Sequence, residues 1–122
     1  EPLRDLAEWR DPNAVKVVRD TADNALYFSR APIPWPRDGQ DALPQTRDYR
    51  RHVGLYAYRA GFLQRFVQWP AAALEQLEKL EQLRVLAHGT RVKVVDAAAP
   101  CGVGVDTPED LARARAHLAS LR

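Results

Sequence analysis

Four prolines, Pro32, Pro34, Pro36 and Pro44, fall between Arg30 and Arg51. Proline fixes φ and offers no amide donor, so this stretch can be neither a central strand nor a helix interior. It reads as a long loop, and long structureless loops in compact domains are usually functional or disordered. The loop also carries Arg37, Arg47, Arg50 and Arg51. Arginines so placed either close over an anion or decorate a solvated segment, and composition leaves both readings open.

The segments around the loop alternate in type. Glu1 to Asp11 is a short helical or irregular lead-in. Ala14 to Val18 is a β-branched run bounded by Pro12-Asn13 and by the polar Asp20 to Asn24. Ala25 to Ser29 follows that turn and is expected to pair with it as a hairpin. His52 to Tyr58 predicts a strand with Val53, Leu55 and Ala57 on one face and His52, Tyr56 and Tyr58 on the other. Gly54 within it suggests close approach of a ligand or another backbone. Ala60 to Gln68 reads as a short helix. Leu74 to His88 is rich in good helix formers and reads as the strongest helix, stopped by Gly89. Arg91 to Asp96 predicts a further strand. Thr107 suits an N-cap, Pro108 the first helical position, and Glu109 and Asp110 the electropositive first turn of a helix running towards Ser120. Strands interspersed with helices indicate an α/β or mixed α+β class.

Composition narrows the function classes. The chain has 122 residues, 46% hydrophobic and 28% charged, as expected of a globular domain or part of one. No apolar run approaches the ~20 residues that cross a bilayer, and nothing at the start resembles a signal peptide. A formal net charge of +2 is lower than a nucleic-acid-binding domain usually carries. A small arginine-rich RNA-binding domain is the least favoured reading. The single cysteine, Cys101, excludes an intrachain disulfide and a CxxC zinc site, and the default setting is reducing and cytoplasmic. There is no methionine, so the chain is expected to be a piece of a longer polypeptide. Of 18 basic residues 15 are arginine, which reflects either codon usage or planar recognition of carboxylate or phosphate.

Three positions stand out for chemistry. On a continuous helix from Leu74, Glu81 falls at about 340° and Arg84 at about 280°, inside a broad apolar arc. A carboxylate on a buried face needs a partner. Either Arg84 supplies it at i,i+3 or Glu81 faces a polar site, while Glu75 and Glu78 point towards solvent. Asp106 follows a glycine-bearing turn and precedes a helix start. It either favours the helix dipole or holds a hard cation such as Mg²⁺ beside a phosphate. His52 alone reads as a structural histidine on a strand face. Cys101 has no histidine partner in sequence and receives no nucleophilic role.

Taken together, five segments carry a family resemblance. They are Pro12 to Val18 (PNAVKVV), Ala25 to Trp35 (ALYFSRAPIPW), Arg51 to Arg59 (RHVGLYAYR), Leu80 to Leu86 (LEQLRVL) and Gly104 to Leu111 (GVDTPEDL). In this order, over nearly the whole chain, they resemble the C-terminal half of the 3-deoxy-manno-octulosonate (Kdo) cytidylyltransferases, the CMP-Kdo synthetases of Gram-negative bacteria. The resemblance implies the C-terminal part of a nucleotide-diphospho-sugar-transferase-like, Rossmann-like mixed sheet with flanking helices. It implies residues 1–122 as a sugar-binding and dimerisation half, with the nucleotide-binding half lying upstream. The implied activity joins CMP to Kdo from CTP with Mg²⁺ and releases pyrophosphate, in a cytoplasmic homodimer serving lipopolysaccharide assembly. By motif match Asp106 is the implied magnesium ligand. His52, Tyr56, Glu81 and Gln82 are the implied sugar contacts, with Arg30 facing the acidic sugar and Arg37 a further active-site arginine. The family's phosphate loop and second aspartate have no counterpart here, so this polypeptide alone is expected to be inactive. The reading from another class is a non-catalytic dimerisation or carbohydrate-binding module.

Overall fold

The β-branched run and its aromatic successor do form a hairpin, and the rest of the chain is arranged around it. The structure is a computed structural model that describes residues 1–39, 43, 46–101, 105 and 107–120. Strand β1 (Lys16–Arg19) pairs antiparallel with β2 (Ala25–Ser29), placing Val17 opposite Phe28 and Lys16 opposite Ser29. Asp20 shapes the connecting turn. Its carboxylate accepts the backbone N–H groups of Ala22 and Asn24, both at 2.8 Å, and the Asn24 side-chain amide at 2.9 Å. The Asn24 amide, chiefly, holds the Asp20 carboxyl below its ordinary range. Strand β3 (Arg50–Arg51) pairs with the other side of β1, giving the sheet order β2-β1-β3. The proline loop therefore carries the chain from one sheet edge to the other.

That loop is anchored near both of its ends. Helix α1 (Leu6–Arg10) starts on Asp5, whose carboxylate accepts the Glu8 N–H at 2.8 Å. It buries Trp9, which stacks on Trp35 of the loop at 5.4 Å between ring centres and meets Tyr49 edge-on. The Trp9 indole N–H reaches the Ile33 carbonyl at 3.4 Å.

Two predicted strands are not strands. After β3 the chain makes one ladder-like bond, from His52 N–H to the Val15 carbonyl at 2.8 Å, and then leaves the sheet. Gly54 lies at φ +81°, which no extended strand allows, and residues 52–59 follow an irregular path. A Cβ on Gly54 would meet only His52 Cε1, at 3.9 Å, so the glycine serves backbone conformation rather than close approach. Arg91–Asp96 runs beside the β1–β2 turn, where Ala25 N–H donates to Val92 O and Val94 N–H to Asp23 O, each at 2.8 Å. It meets a turn and the start of β2 rather than a strand's length, so only an isolated bridge, Asn24 to Lys93, forms.

The expected long helix is two short ones. Helix α2 (Ala60–Phe66) precedes them, close to its predicted place. Helix α3 (Ala73–Glu78) ends at Lys79, which sits in the left-handed region at φ 55°, and α4 (Gln82–Ala87) leaves in a new direction. The corner turns Leu80 and Leu83 into the core against Val17, Ala25 and Phe28, with Val92 and Val94 at its edge. It leaves Leu74 and Leu77 exposed, contrary to the broad buried arc of a continuous helix. Gly89, at φ +69°, follows α4 as expected. Helix α5 (Pro108–Ser120) starts as its sequence requires, with Asp110 N–H donating to Thr107 Oγ1 at 3.2 Å and Thr107 N–H to Asp110 Oδ2 at 3.0 Å.

Left-handed backbone costs an L-residue ~1–2 kcal/mol, whereas glycine adopts it freely but loses more chain entropy on folding. Lys79→Gly is therefore expected to raise the unfolding free energy by roughly 0.5–1 kcal/mol, and Lys79→Val to lower it. Denaturant titrations of the two variants check this.

Candidate functional site

His52 and Tyr56 lie four residues apart, and the irregular path through Gly54 folds the second back onto the first. Tyr56 Oη and His52 Nε2 are 2.8 Å apart. The imidazole meets Phe28 of the core edge-on at 5.2 Å between ring centres. Burial pulls the His52 pKa from 6.5 down to about 4, so the ring is neutral near neutral pH. Burial, then the neighbouring Tyr58 and Glu81, push the Tyr56 hydroxyl above its ordinary range, so it stays protonated. The phenol is therefore the donor and Nε2 the acceptor, which assigns the imidazole proton to Nδ1. Tyr58 stacks on Tyr56 at 5.6 Å, and Phe62 of α2 continues the stack. Tyr58, which the sequence analysis left without a role, is thus part of the same wall. Its hydroxyl is also raised, by burial and then by Glu81.

Glu81 stands at the start of α4 and is exposed, not buried as the continuous helix predicted. Nor does it take Arg84. That guanidinium grips Glu75 with two hydrogen bonds, at 2.8 and 2.5 Å, and lies over the Phe66 ring at 4.8 Å from its centre. Glu75 and Glu78, expected in solvent, both have partners: Glu78 accepts the Ser29 hydroxyl at 2.6 Å and the Arg30 N–H at 2.9 Å. Among the described residues the charge of Glu81 acts on the phenols of Tyr56 and Tyr58 and, more weakly than Glu75 does, on Arg84. Gln82, next along α4, is only 8% exposed, and its buried Nε2 has no hydrogen-bond partner among the described residues. His52, Tyr56, Glu81 and Gln82 thus gather around the meeting of the irregular segment, Phe28 and α4.

The two arginines implied in the site by the resemblance, Arg30 and Arg37, differ. Arg30 is half-buried at the end of β2, with its Nε donating to the Glu78 carbonyl at 2.7 Å and Nη1 to the Pro12 carbonyl at 2.9 Å. Arg37 is exposed in a turn closed by Gly39 N–H to Pro36 O at 3.3 Å. Asp106 lies outside the described residues. Among the described residues no group of three or more His, Cys, Asp or Glu side chains could hold a metal ion. A shallow open depression of about 410 Å³ borders Glu81 and Arg84 at the α3–α4 corner. A second cleft of about 450 Å³, between Arg4, Arg51 and Ala97–Cys101, carries none of the predicted residues. No helix among the described residues is long and apolar enough to cross a membrane.

The depressed His52 pKa has a defined effect on stability. Between pH ~6.5 and ~4 the unfolded chain takes up a proton that the folded chain refuses, so stability falls as the solution is acidified through that window. His52→Gln is expected to flatten the stability-versus-pH curve there. Denaturant midpoints of the two proteins at pH 4, 5, 6 and 7 check it.

The family described as Cytidylyltransferase matches residues 1–93. A 3-deoxy-manno-octulosonate cytidylyltransferase 1 of Hydrogenovibrio crunogenus is 54% identical over 99% of this chain and 48% of its own length. The 3-deoxy-manno-octulosonate cytidylyltransferase of Xanthomonas campestris is 55% identical over 98% of this chain and 49% of its own. A solved CMP:2-keto-3-deoxy-manno-octonic acid synthetase, complexed with CTP, superposes with a TM-score of 0.80 at 46% identity, covering 95% of this chain and 46% of that one. The chain thus spans about half the length of the curated relatives it matches. The fold class and the resemblance read from the sequence are borne out, and the chain belongs to the cytidylyltransferase family.

Proposed function

We propose that this chain is the C-terminal, sugar-binding half of an enzyme that activates Kdo as CMP-Kdo from CTP, releasing pyrophosphate, for lipopolysaccharide biosynthesis. The observation that carries the reading is the pairing of unsatisfied polarity at one place. The buried Nε2 of Gln82 has no hydrogen-bond partner among the described residues, and Glu81 stands exposed near the Tyr56–His52 pair. A buried amide N–H without an acceptor is costly. A polyhydroxylated sugar supplies hydroxyl acceptors for Gln82 and hydroxyl donors for Glu81, which satisfies both.

Each residue then has a role. Gln82 and Glu81 fix sugar hydroxyls. Tyr56, held by the neutral His52, presents its hydroxyl oxygen as an acceptor on the same wall. Arg30 pairs with the sugar carboxylate, and Arg37 is a further anion contact from the proline loop. The anomeric hydroxyl of Kdo attacks the α-phosphorus of CTP and pyrophosphate leaves, so these residues act mainly by positioning the nucleophile. Asp106 is the magnesium ligand in this reading. The family resemblance implies that a second aspartate ligand comes from the nucleotide-binding half. Bound Mg²⁺ supplies charge neutralisation between the anionic sugar and the triphosphate. The enzyme is cytoplasmic and homodimeric in the same reading. Leu55 and Leu77, 89% and 79% exposed, support an apolar contact with other polypeptide.

Pyrophosphate release from CTP and Kdo tests the whole proposal. This chain alone is expected to be inactive, and the same chain joined to its upstream half active. Absence of turnover in the longer protein would leave a carbohydrate-binding or dimerisation module. In the active protein, Asp106→Ala is expected to abolish turnover with little loss of stability, and near-normal CMP-Kdo formation at saturating Mg²⁺ would refute the metal role. Glu81→Gln removes a charged hydrogen bond and is expected to raise the KM for Kdo by about 10- to 100-fold with the KM for CTP kept. Initial-rate measurements with each substrate varied in turn separate the two effects.

A further inference from the structure

Lys16 is 0% exposed, yet among the described residues none of its hydrogen bonds goes to a carboxylate. Its ammonium donates to the carbonyls of Asp11 at 2.8 Å and Arg30 at 2.6 Å. Burying a cation against neutral acceptors is expensive, and burial draws the Lys16 pKa below its ordinary value. A methionine or leucine would fill the same place on β1 without that cost. The hairpin therefore gives no reason for a lysine here.

The reason lies in what the ammonium holds. Arg30 follows Ser29, which stands opposite Lys16 in the β1–β2 register. Lys16 takes the Arg30 carbonyl, while Glu78 takes the Arg30 N–H at 2.9 Å with one oxygen and the Ser29 hydroxyl at 2.6 Å with the other. The Ser29 oxygen in turn accepts the Ala31 N–H at 3.0 Å. The Glu78 and Pro12 carbonyls engage Nε and Nη1 of the guanidinium. Both peptide groups of Arg30 and one side of its guanidinium are thus fixed. Nη2 has no partner among the described residues, so a held arginine keeps one nitrogen free for an anion.

We infer that Lys16 and Glu78 are positioning residues that clamp Arg30 from its two sides and aim the free end of its guanidinium at the carboxylate of an acidic sugar. The inference rests on the sugar-binding role proposed above for Arg30, and the two are separable by experiment. In the full-length protein, Arg30→Ala, Lys16→Met and Glu78→Gln are made singly, and each of the last two is combined with Arg30→Ala. KM for Kdo, KM for CTP and kcat are measured. Arg30→Ala is expected to raise the KM for Kdo by about 10- to 100-fold and leave that for CTP unchanged. Lys16→Met and Glu78→Gln are expected to raise the KM for Kdo by about 3- to 10-fold. Neither should add to the effect of Arg30→Ala in the double variants. Effects that multiply with Arg30→Ala, or that shift both KM values alike, would overturn the clamp. So would a normal KM for Kdo in both Lys16→Met and Glu78→Gln while Arg30→Ala is impaired. An unchanged KM for Kdo in Arg30→Ala itself would instead remove the sugar-binding role on which the clamp rests. Should Lys16→Met fail to fold, the near-isosteric Glu78→Gln cycle decides by the same criteria.

Discussion

The contact that the candidate site depends on is that of Phe28 with its three neighbours. From β2 its ring meets Val17 across the register, Leu83 of α4 in the core, and the His52 imidazole edge-on. Phe28 is 2% exposed, and the groups that surround it come from the sheet, the irregular aromatic segment and the helix corner. These elements are distant in sequence and carry separate parts of the proposed site. A close-packed interior transmits any change in one ring's position to its neighbours, since it has no slack to absorb it. Phe28, an apolar residue with no chemistry of its own, thus links the His52 segment to α4, the helix that carries Gln82.

Three glutamates spaced by three residues show how context divides one residue type. Glu75 is spent on Arg84, whose guanidinium also covers Phe66 and so ties α3, α4 and α2 together. Glu78 is spent on Ser29 and Arg30, tying α3 to the end of β2. Among the described residues Glu81 is not engaged in this way, and its charge acts on the tyrosine wall. Had α3 and α4 been one helix, the i,i+3 pair of Glu81 with Arg84 would have been the easier partnership, and Glu81 would have had less freedom to meet a ligand. The break at Lys79 redistributes the charges.

Elements written in local chemistry were legible in the sequence. The hairpin is announced by two β-rich runs around Asp20–Asn24, and α5 by Thr107-Pro108-Glu109-Asp110. What failed depended on distant contacts. Residues 74–88 are good helix formers throughout, with no glycine or proline at 79, so the corner is invisible to propensity. It forms because the hairpin offers Leu80 and Leu83 a core. The strand expected over 52–58 carried its own contradiction in Gly54, whose left-handed conformation was open to it and closed to a strand. The candidate residues His52, Tyr56, Glu81 and Gln82 were found by resemblance. Helical phase placed Glu81 on a buried arc, and the structure moves it to the surface beside the phenols. In sequence Lys16 reads as part of a β-branched run and Glu78 as a solvated helix face, so neither signals a role. The register of β1 with β2 brings Lys16 to Arg30, and the placement of α3 at the end of β2 brings Glu78 there.

The backbone of Lys79 limits how such a site can drift over evolutionary time. Lysine side chains at this corner are replaceable by anything that tolerates a positive φ, with glycine and asparagine foremost, while valine, isoleucine and threonine are effectively barred. A backbone constraint near Glu81 and Gln82 thus falls on a residue with no assigned ligand contact. A search for specificity determinants that scores only substrate-facing positions would overlook it.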